Sequence, residues 1–146
     1  MAYLAVMMAV AIIGLSAAYT VSAGASLAQH DAEEELLAIG LDFQRALQRY
    51  AAATPVGTPR APTDLESLLK DPRQPGVQRY LRQIPVDPLT GQRDWVIVRN
   101  PQNLIVGLHS ASARKPLKVT GFAPALSLLE GERETYEAWV FRGPVP

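Results

Sequence analysis

Residues 1–29 read MAYLAVMMAVAIIGLSAAYTVSAGASLAQ and contain no charged side chain. Because an α-helix rises about 1.5 Å per residue, roughly twenty apolar residues cover the ~30 Å hydrocarbon core of a bilayer. The segment from Met1 to about Val21 is therefore long enough to cross a membrane, or to lie in a hydrophobic assembly of similar thickness. In either case it is not ordinary soluble surface.

The next stretch, HDAEEELLAIGLDFQRALQRY (30–50), keeps the helical period but is amphipathic. Its apolar stripe recurs every three or four residues, at Leu36, Gly40, Phe43, Leu47 and Tyr50. This spacing predicts a helix with one face toward a core. Since no Pro-rich or Gly-rich break separates the two stretches, we expect one helix with an apolar segment, 1–28, and an amphipathic continuation, 29–53.

Composition limits the rest of the chain to one small domain. The 146 residues leave 54–146 for a compact head that must use the helix as a wall of its core. With 14 basic and 14 acidic residues the net charge is zero, so no electrostatic footprint for nucleic acid is present. The absence of cysteine excludes disulfides, thiolate catalysis and most zinc sites.

The start of the head shows a connection and then a short helix. Residues 54–62 hold three prolines and a glycine, which predict an extended connection. The sequence TDLE (63–66) has the form of a capping box, and the leucines after it predict a short helix ending near Lys70.

Three runs rich in β-branched or aromatic residues predict strands at 95–98, 104–108 and 136–141. The turn sequence NPQN (100–103) predicts that the first two form a hairpin. Between the hairpin and the last strand, 126–129 is compatible with a short helix or a loop. The predicted fold class is α+β, with a long N-terminal helix packed on a small antiparallel sheet.

Several motifs together resemble the type IV pilin-like pseudopilins of bacterial type II secretion systems. They are AIIG (11–14), PTDLESLL (62–69), RYLRQIPVDP (79–88) followed by Gly91 and Trp95, VGLHS (106–110) and WVF (139–141). The resemblance covers nearly the whole chain and implies a pilin-like fold.

This resemblance implies an assembly subunit rather than an enzyme, and no cofactor is expected. Such subunits wait in the bacterial inner membrane as single-pass proteins, with the head in the periplasm, and then join a periplasmic filament. The implied partners are other copies of the chain or other pseudopilins, the inner-membrane secretion assembly platform, and membrane lipid before assembly. Nucleic acid is not among them.

Two sets of residues are candidates for assembly contacts. Small residues that allow close helix approach, together with the N-terminus, form the first set: Met1, Ala5, Ala9, Ala11, Gly14, Ala17 and Ala18. The run Glu33, Glu34 and Glu35 is expected to be solvated. In a filament it would be a candidate to contact basic residues of a neighbour, namely Arg45, Arg49 and Arg82.

The chain departs from the family pattern at two points. The AIIG register places Met1 at the first residue of the processed family protein, where methylation is expected. Ala5 then stands where most members carry a glutamate that pairs with a neighbour's N-terminal amine. The basic leader that the prepilin peptidase needs is also missing, so we expect either a mature sequence or a start codon upstream.

Metal and catalytic sites receive little support from the sequence. The family's major subunit often has a calcium site in an acidic C-terminal loop, but 110–131 holds a single carboxylate, Glu130. Asp87 and Asp94 flank a turn, where hydrogen bonding within the turn is the simpler expectation. His109 and Ser110 are adjacent on a predicted strand and should point to opposite faces, which disfavours a catalytic pair.

Two alternative roles remain open. Small residues at 22–25 are compatible with cleavage of a signal peptide, which would leave a secreted domain starting near Ser26. The apolar segment could also be a plain anchor for a periplasmic binding module. An uninterrupted helix favours the filament subunit, because anchors and signals usually tolerate a flexible break.

Overall fold

A computed structural model describes the backbone of residues 2–144 and the side chains of 3–13 and 24–144. Within these residues, two helices, three strands and two 3-10 helices follow one another. In order they are α1 (Ala2–Ala52), α2 (Glu66–Leu69), β1 (Val96–Arg99), β2 (Ile105–His109), the 3-10 helix Pro124–Leu129, the 3-10 helix Tyr136–Ala138, and β3 (Phe141–Arg142). The predicted α+β class, with a long N-terminal helix and a small antiparallel sheet, is confirmed.

The chain divides into two compact units, Met1–Ala32 and Glu33–Pro146. The first consists of the apolar part of α1, and the second, here called the head, holds the rest of α1 and all the other elements. Within the described part of the chain, no helix combines the length and hydropathy needed to cross a membrane.

The amphipathic half of α1 forms one wall of the head's core, as its periodicity predicts. Leu36 and Phe43 are completely buried, and Leu47 and Tyr50 are almost so. Gly40 lies in the same stripe, where a Cβ atom would overlap the ring of Phe141. The stripe therefore needs a glycine at this position so that the helix can approach the sheet closely.

The sheet is an antiparallel meander in the order β1-β2-β3. Leu108 at its centre pairs with Ile97 on one side and with Phe141 on the other. The turn between β1 and β2 is closed by Asn100, whose side-chain oxygen accepts hydrogen bonds from the Gln102 and Leu104 amides. The predicted hairpin is thus confirmed, with each strand displaced by one residue from its predicted start.

The predicted third strand, 136–141, is wrong for most of its length. Tyr136–Ala138 is a 3-10 helix, and only Phe141–Arg142 joins the sheet. Tyr136 and Trp139 are both completely buried, with ring centroids 5.2 Å apart. A strand would direct residues three apart to opposite faces, whereas a 3-10 helix brings them to one side.

Two local predictions about short helices are refined. The helix α2 is confirmed, but the Asp64 carboxylate caps it instead of Thr63, accepting hydrogen bonds of 2.8 Å from the amide and hydroxyl of Ser67. Of the two alternatives for 126–129, the structure has a short helix of the 3-10 type, Pro124–Leu129.

Candidate functional site

The apolar segment of α1 is the largest exposed apolar feature that the structure describes. Eight large side chains here are between 57% and 75% exposed: Tyr3, Leu4, Val6, Met7, Met8, Val10, Ile12 and Ile13. Successive residues turn by about 100° around a helix, so this set together with the exposed Ala5 and Ala9 covers every side of it. A helix that is apolar on all sides requires an apolar surrounding.

The small residues predicted to pack between helices lie in this segment. Ala5, Ala9 and Ala11 are exposed, so their faces are accessible to a neighbouring helix. Met1 lies outside the described residues, and for Gly14, Ala17 and Ala18 only the helical backbone is described.

Glu33 is not the solvated residue that the sequence analysis expected. Its side chain is only 1% exposed, and its carboxylate accepts hydrogen bonds of 2.8 Å from the backbone amides of Leu117 and Lys118. The hydroxyl of Tyr136 donates a third bond of 2.7 Å. A buried carboxylate is stable when several groups donate hydrogen bonds to it. Glu33 therefore holds the loop at 117–118 against α1.

The other charged candidates lie at the surface of the head. Glu34 and Glu35 are exposed on α1. Arg45 is exposed as well and forms a 3.4 Å ion pair with Asp42. Arg49, one turn further along α1, lines a neighbouring groove.

That groove lies between one flank of α1 and residues 79–85, has a volume of about 480 Å³, and is here called the basic groove. Its cationic side chains are Arg49, Arg79 and Arg82, all of them exposed. Its residues are Ile39, Asp42, Phe43, Arg49, Arg79, Tyr80, Leu81, Arg82, Gln83 and Pro85. Of the charged residues predicted from sequence, Arg49 and Arg82 are brought together here.

The opposite flank of α1 is covered by the 3-10 helix Pro124–Leu129. Leu126 and Leu129 pack inward, whereas Leu128 is 77% exposed. The chain then continues into residues 130–137, here called the acidic segment. Its four carboxylates are exposed, whereas Tyr136 is buried; the carboxylates belong to Glu130, Glu132, Glu134 and Glu137.

A buried ionic cluster that the sequence analysis missed holds the C-terminal end of α1. Arg73 donates two side-chain hydrogen bonds to Asp71, of 2.9 and 2.8 Å, and a third of 3.0 Å to the Tyr50 carbonyl oxygen in the last turn of the helix. Its guanidinium also lies 3.5 Å from the centroid of the Tyr50 ring. The only signal in the sequence is the Asp-Pro-Arg spacing, which is common in ordinary turns.

This cluster perturbs the titration of its members. The hydrogen bonds from Arg73 lower the pKa of Asp71 to about 2, against the opposing effect of burial. Burial raises the pKa of Tyr80, whose hydroxyl donates a 2.8 Å hydrogen bond to Asp71. A cation beside the carbonyl end of α1 is also favoured by the helix dipole.

Asp87 and Asp94 take part in hydrogen bonds within the turn. One oxygen of Asp87 accepts a 2.9 Å bond from the Leu89 amide, and Asp94 accepts a 2.6 Å bond from the Thr90 hydroxyl. Within the described residues, no group of three or more His, Asp or Glu side chains is placed to hold a metal ion.

His109 and Ser110 both bond to backbone groups. The His109 Nδ1 atom lies 2.8 Å from the Ser110 carbonyl oxygen, and the Ser110 hydroxyl oxygen accepts a 3.0 Å bond from the Ser112 amide. Ser110 is completely buried. Such local hydrogen bonds are typical of a turn, here at the end of β2.

No protein-family model, curated protein or solved structure matched this chain. Its function is therefore inferred from its residues and their geometry.

Proposed function

We propose that this chain is a structural subunit of a type II secretion pseudopilus or a related type IV pilus-like filament. In this role it is held in the inner membrane before assembly and supports protein secretion from the periplasmic side. The apolar segment of α1 lies in the core of the filament, and the head lies on its surface.

One observation carries this role: the side chains of α1 between Tyr3 and Ile13 are all apolar and exposed, so the helix is apolar on every side. Burying a side chain of this size is worth roughly 1.5–3 kcal/mol. Neighbouring helices in a filament core would cover all sides at once, and lipid would do the same before assembly. The exposed Ala5, Ala9 and Ala11 suit close packing between such helices.

The way the core of the head is built on α1 supports the same role. Its core is assembled on the amphipathic half of α1, so the helix is both a wall of the head and the continuation of the apolar segment. The motifs that resemble pseudopilins lie in both parts of the chain.

The test places a charge in the apolar segment. Val10→Asp should abolish filaments visible by electron microscopy after overexpression, because a carboxylate in an apolar helix bundle is left without partners. Gln102→Asp, which adds the same charge to an exposed turn of the head, should leave filaments intact. Wild-type abundance of filaments containing Val10→Asp would contradict a filament core built from this segment.

A further inference from the structure

Two surfaces of the head are complementary in charge and shape. The basic groove presents three guanidinium groups around an apolar floor, whereas the acidic segment 130–137 presents four carboxylates beside an exposed leucine. One carboxylate, Asp42, also lines the groove, and it is paired with Arg45 at 3.4 Å. The groove therefore keeps a net positive charge.

The two surfaces cannot meet within one molecule. Ile39, Asp42 and Arg49 line the basic groove, whereas Gln44 and Gln48 lie beside the 3-10 helix Pro124–Leu129. Since successive residues turn by about 100° around a helix, these two sets project from opposite flanks of α1. Any contact between the two surfaces must join two copies of the chain.

The acidic segment is held in shape before it meets a partner. Arg133 donates hydrogen bonds to the carbonyl oxygens of Leu128 and Glu130, at 3.2 and 3.5 Å. The Gly131 amide donates a 2.8 Å bond to the Val119 carbonyl oxygen. A preorganised segment loses less conformational freedom on binding than a flexible one.

Leu128 supplies an apolar contact at the base of this segment. It is 77% exposed at the surface of the 3-10 helix, two residues before the first carboxylate, Glu130. The basic groove offers it an apolar floor made by Ile39, Leu81 and Pro85. An apolar centre surrounded by charged groups is the usual arrangement of a specific protein interface.

We infer that the head makes a directional contact in which Leu128 and the acidic segment of one copy dock in the basic groove of the next. The two surfaces differ and lie on opposite flanks, so the contact is heterologous and leaves one free surface of each kind at the ends. Repetition of such a contact gives an open helical array unless the rotation closes a ring. This inference rests on the proposed filament and names the surfaces by which neighbouring heads recognise each other.

Cross-linking of the full chain tests the contact, because the chain contains no cysteine that would react elsewhere. The variant Gln83→Cys/Glu132→Cys carries one thiol in the basic groove and one in the acidic segment. With a short bismaleimide it should give a ladder of dimers, trimers and larger species. Each single variant should give almost none. Equal dimer yields from either single variant would show a symmetric contact and overturn the inference.

Charge reversal in the same two-cysteine background tests the pairing. Adding Arg79→Glu/Arg82→Glu should reduce the ladder at least about tenfold, because like charges then face each other. Adding Glu130→Lys/Glu134→Lys to that variant should restore it. The control Arg60→Glu/Lys70→Glu makes the same change in net charge away from the groove and should leave the ladder unchanged. Equal loss with the control, or no rescue, would overturn the contact.

The leucine is tested separately. Leu128→Ala should lower the ladder about tenfold, because an exposed leucine has apolar area to bury only if a partner covers it. Val56→Ala, at a fully exposed valine of the 54–62 connection, is the matched control and should have no effect. An unchanged ladder with Leu128→Ala would remove Leu128 from the interface and contradict the contact as stated.

Electron microscopy of the same samples separates the two levels of the hypothesis. Filaments without the ladder would overturn the directional contact and leave the filament role standing. A ladder without filaments would support the contact and contradict the filament. The absence of both would contradict both.

Discussion

The two parts of helix α1 have similar lengths, but the first exposes its apolar side chains and the second buries them. Between Tyr3 and Ile13 the apolar side chains are all exposed, whereas from Leu36 to Tyr50 the apolar stripe is buried in the head. The second part is stabilised within its own chain. The first exposes a run of apolar side chains, and this exposure is the observation on which the proposed assembly role rests.

The largest effect should come from removing the first part altogether. A chain beginning at Gln29 should be soluble, folded and unable to form filaments, because the buried core lies within Glu33–Pro146. Circular dichroism and size-exclusion chromatography would check this expectation. An unfolded or aggregated product would mean that the head needs the apolar segment, and the comparison between the two parts would fail.

Substitutions at two glycines, one in each part of α1, compare the two parts directly. Gly40→Ala should destabilise the head by up to about 3 kcal/mol, since the added methyl group overlaps the Phe141 ring in a packed core. Gly24→Ala meets no atom within 4 Å and should be neutral or stabilising by up to about 1 kcal/mol, as alanine favours helix. Denaturant unfolding would measure both. Equal effects of the two substitutions would contradict the packing of Phe141 on α1.

Periodicity explains what could be predicted from the sequence. The stripe from Leu36 to Tyr50 predicts the buried face of α1, and the NPQN turn predicts the hairpin, because both signals are local. The same reasoning gives a wrong prediction for residues 136–141. Alternation suggested a strand, but two large aromatic residues three positions apart both enter the core, and this depends on what the rest of the chain places there.

The polar contacts of the head were beyond prediction for a related reason. Glu33 lies three and four residues before Leu36 and Leu37, so the helical period already places it on the buried face, unlike the exposed Glu34 and Glu35. What no local signal shows is its partners, the backbone amides of the 117–118 loop. The Arg73 cluster likewise depends on bringing together residues from separate loops and the end of α1. Partners distant in sequence leave no local pattern.

The contrast within the glutamate run is itself testable. Glu33→Gln should destabilise the head by roughly 2–3 kcal/mol, because an amide cannot accept from both loop amides and a tyrosine hydroxyl as a carboxylate does. Glu35→Gln, two residues away and exposed, should change the free energy of unfolding by less than about 0.5 kcal/mol. Similar small effects for both would show that Glu33 is solvated after all.

The smallest effect is expected from low pH, which should lower the stability of the head. Residues 1–29 contain no carboxylate or basic side chain, so acid changes no charge in that part of α1. In the folded head the pKa of Asp71 is lowered from 3.8 to about 2, chiefly by hydrogen bonds from Arg73. A lowered pKa means that the folded state binds this proton less readily than the unfolded chain. The stabilisation is therefore complete above about pH 4 and is lost as the pH falls toward about 2, by roughly 2 kcal/mol.

Denaturant unfolding of the chain beginning at Gln29, across this pH range, measures that loss. Asp71→Asn should be less stable at neutral pH and should show a flatter dependence on pH, retaining the part contributed by Asp64, whose pKa is lowered mainly by the Ser67 hydroxyl. The buried ionic cluster at the end of α1 would then account for part of the acid sensitivity of the head. A variant that keeps the full pH dependence of the wild type would show that Asp71 is not ionised in the folded state as its bonds to Arg73 require.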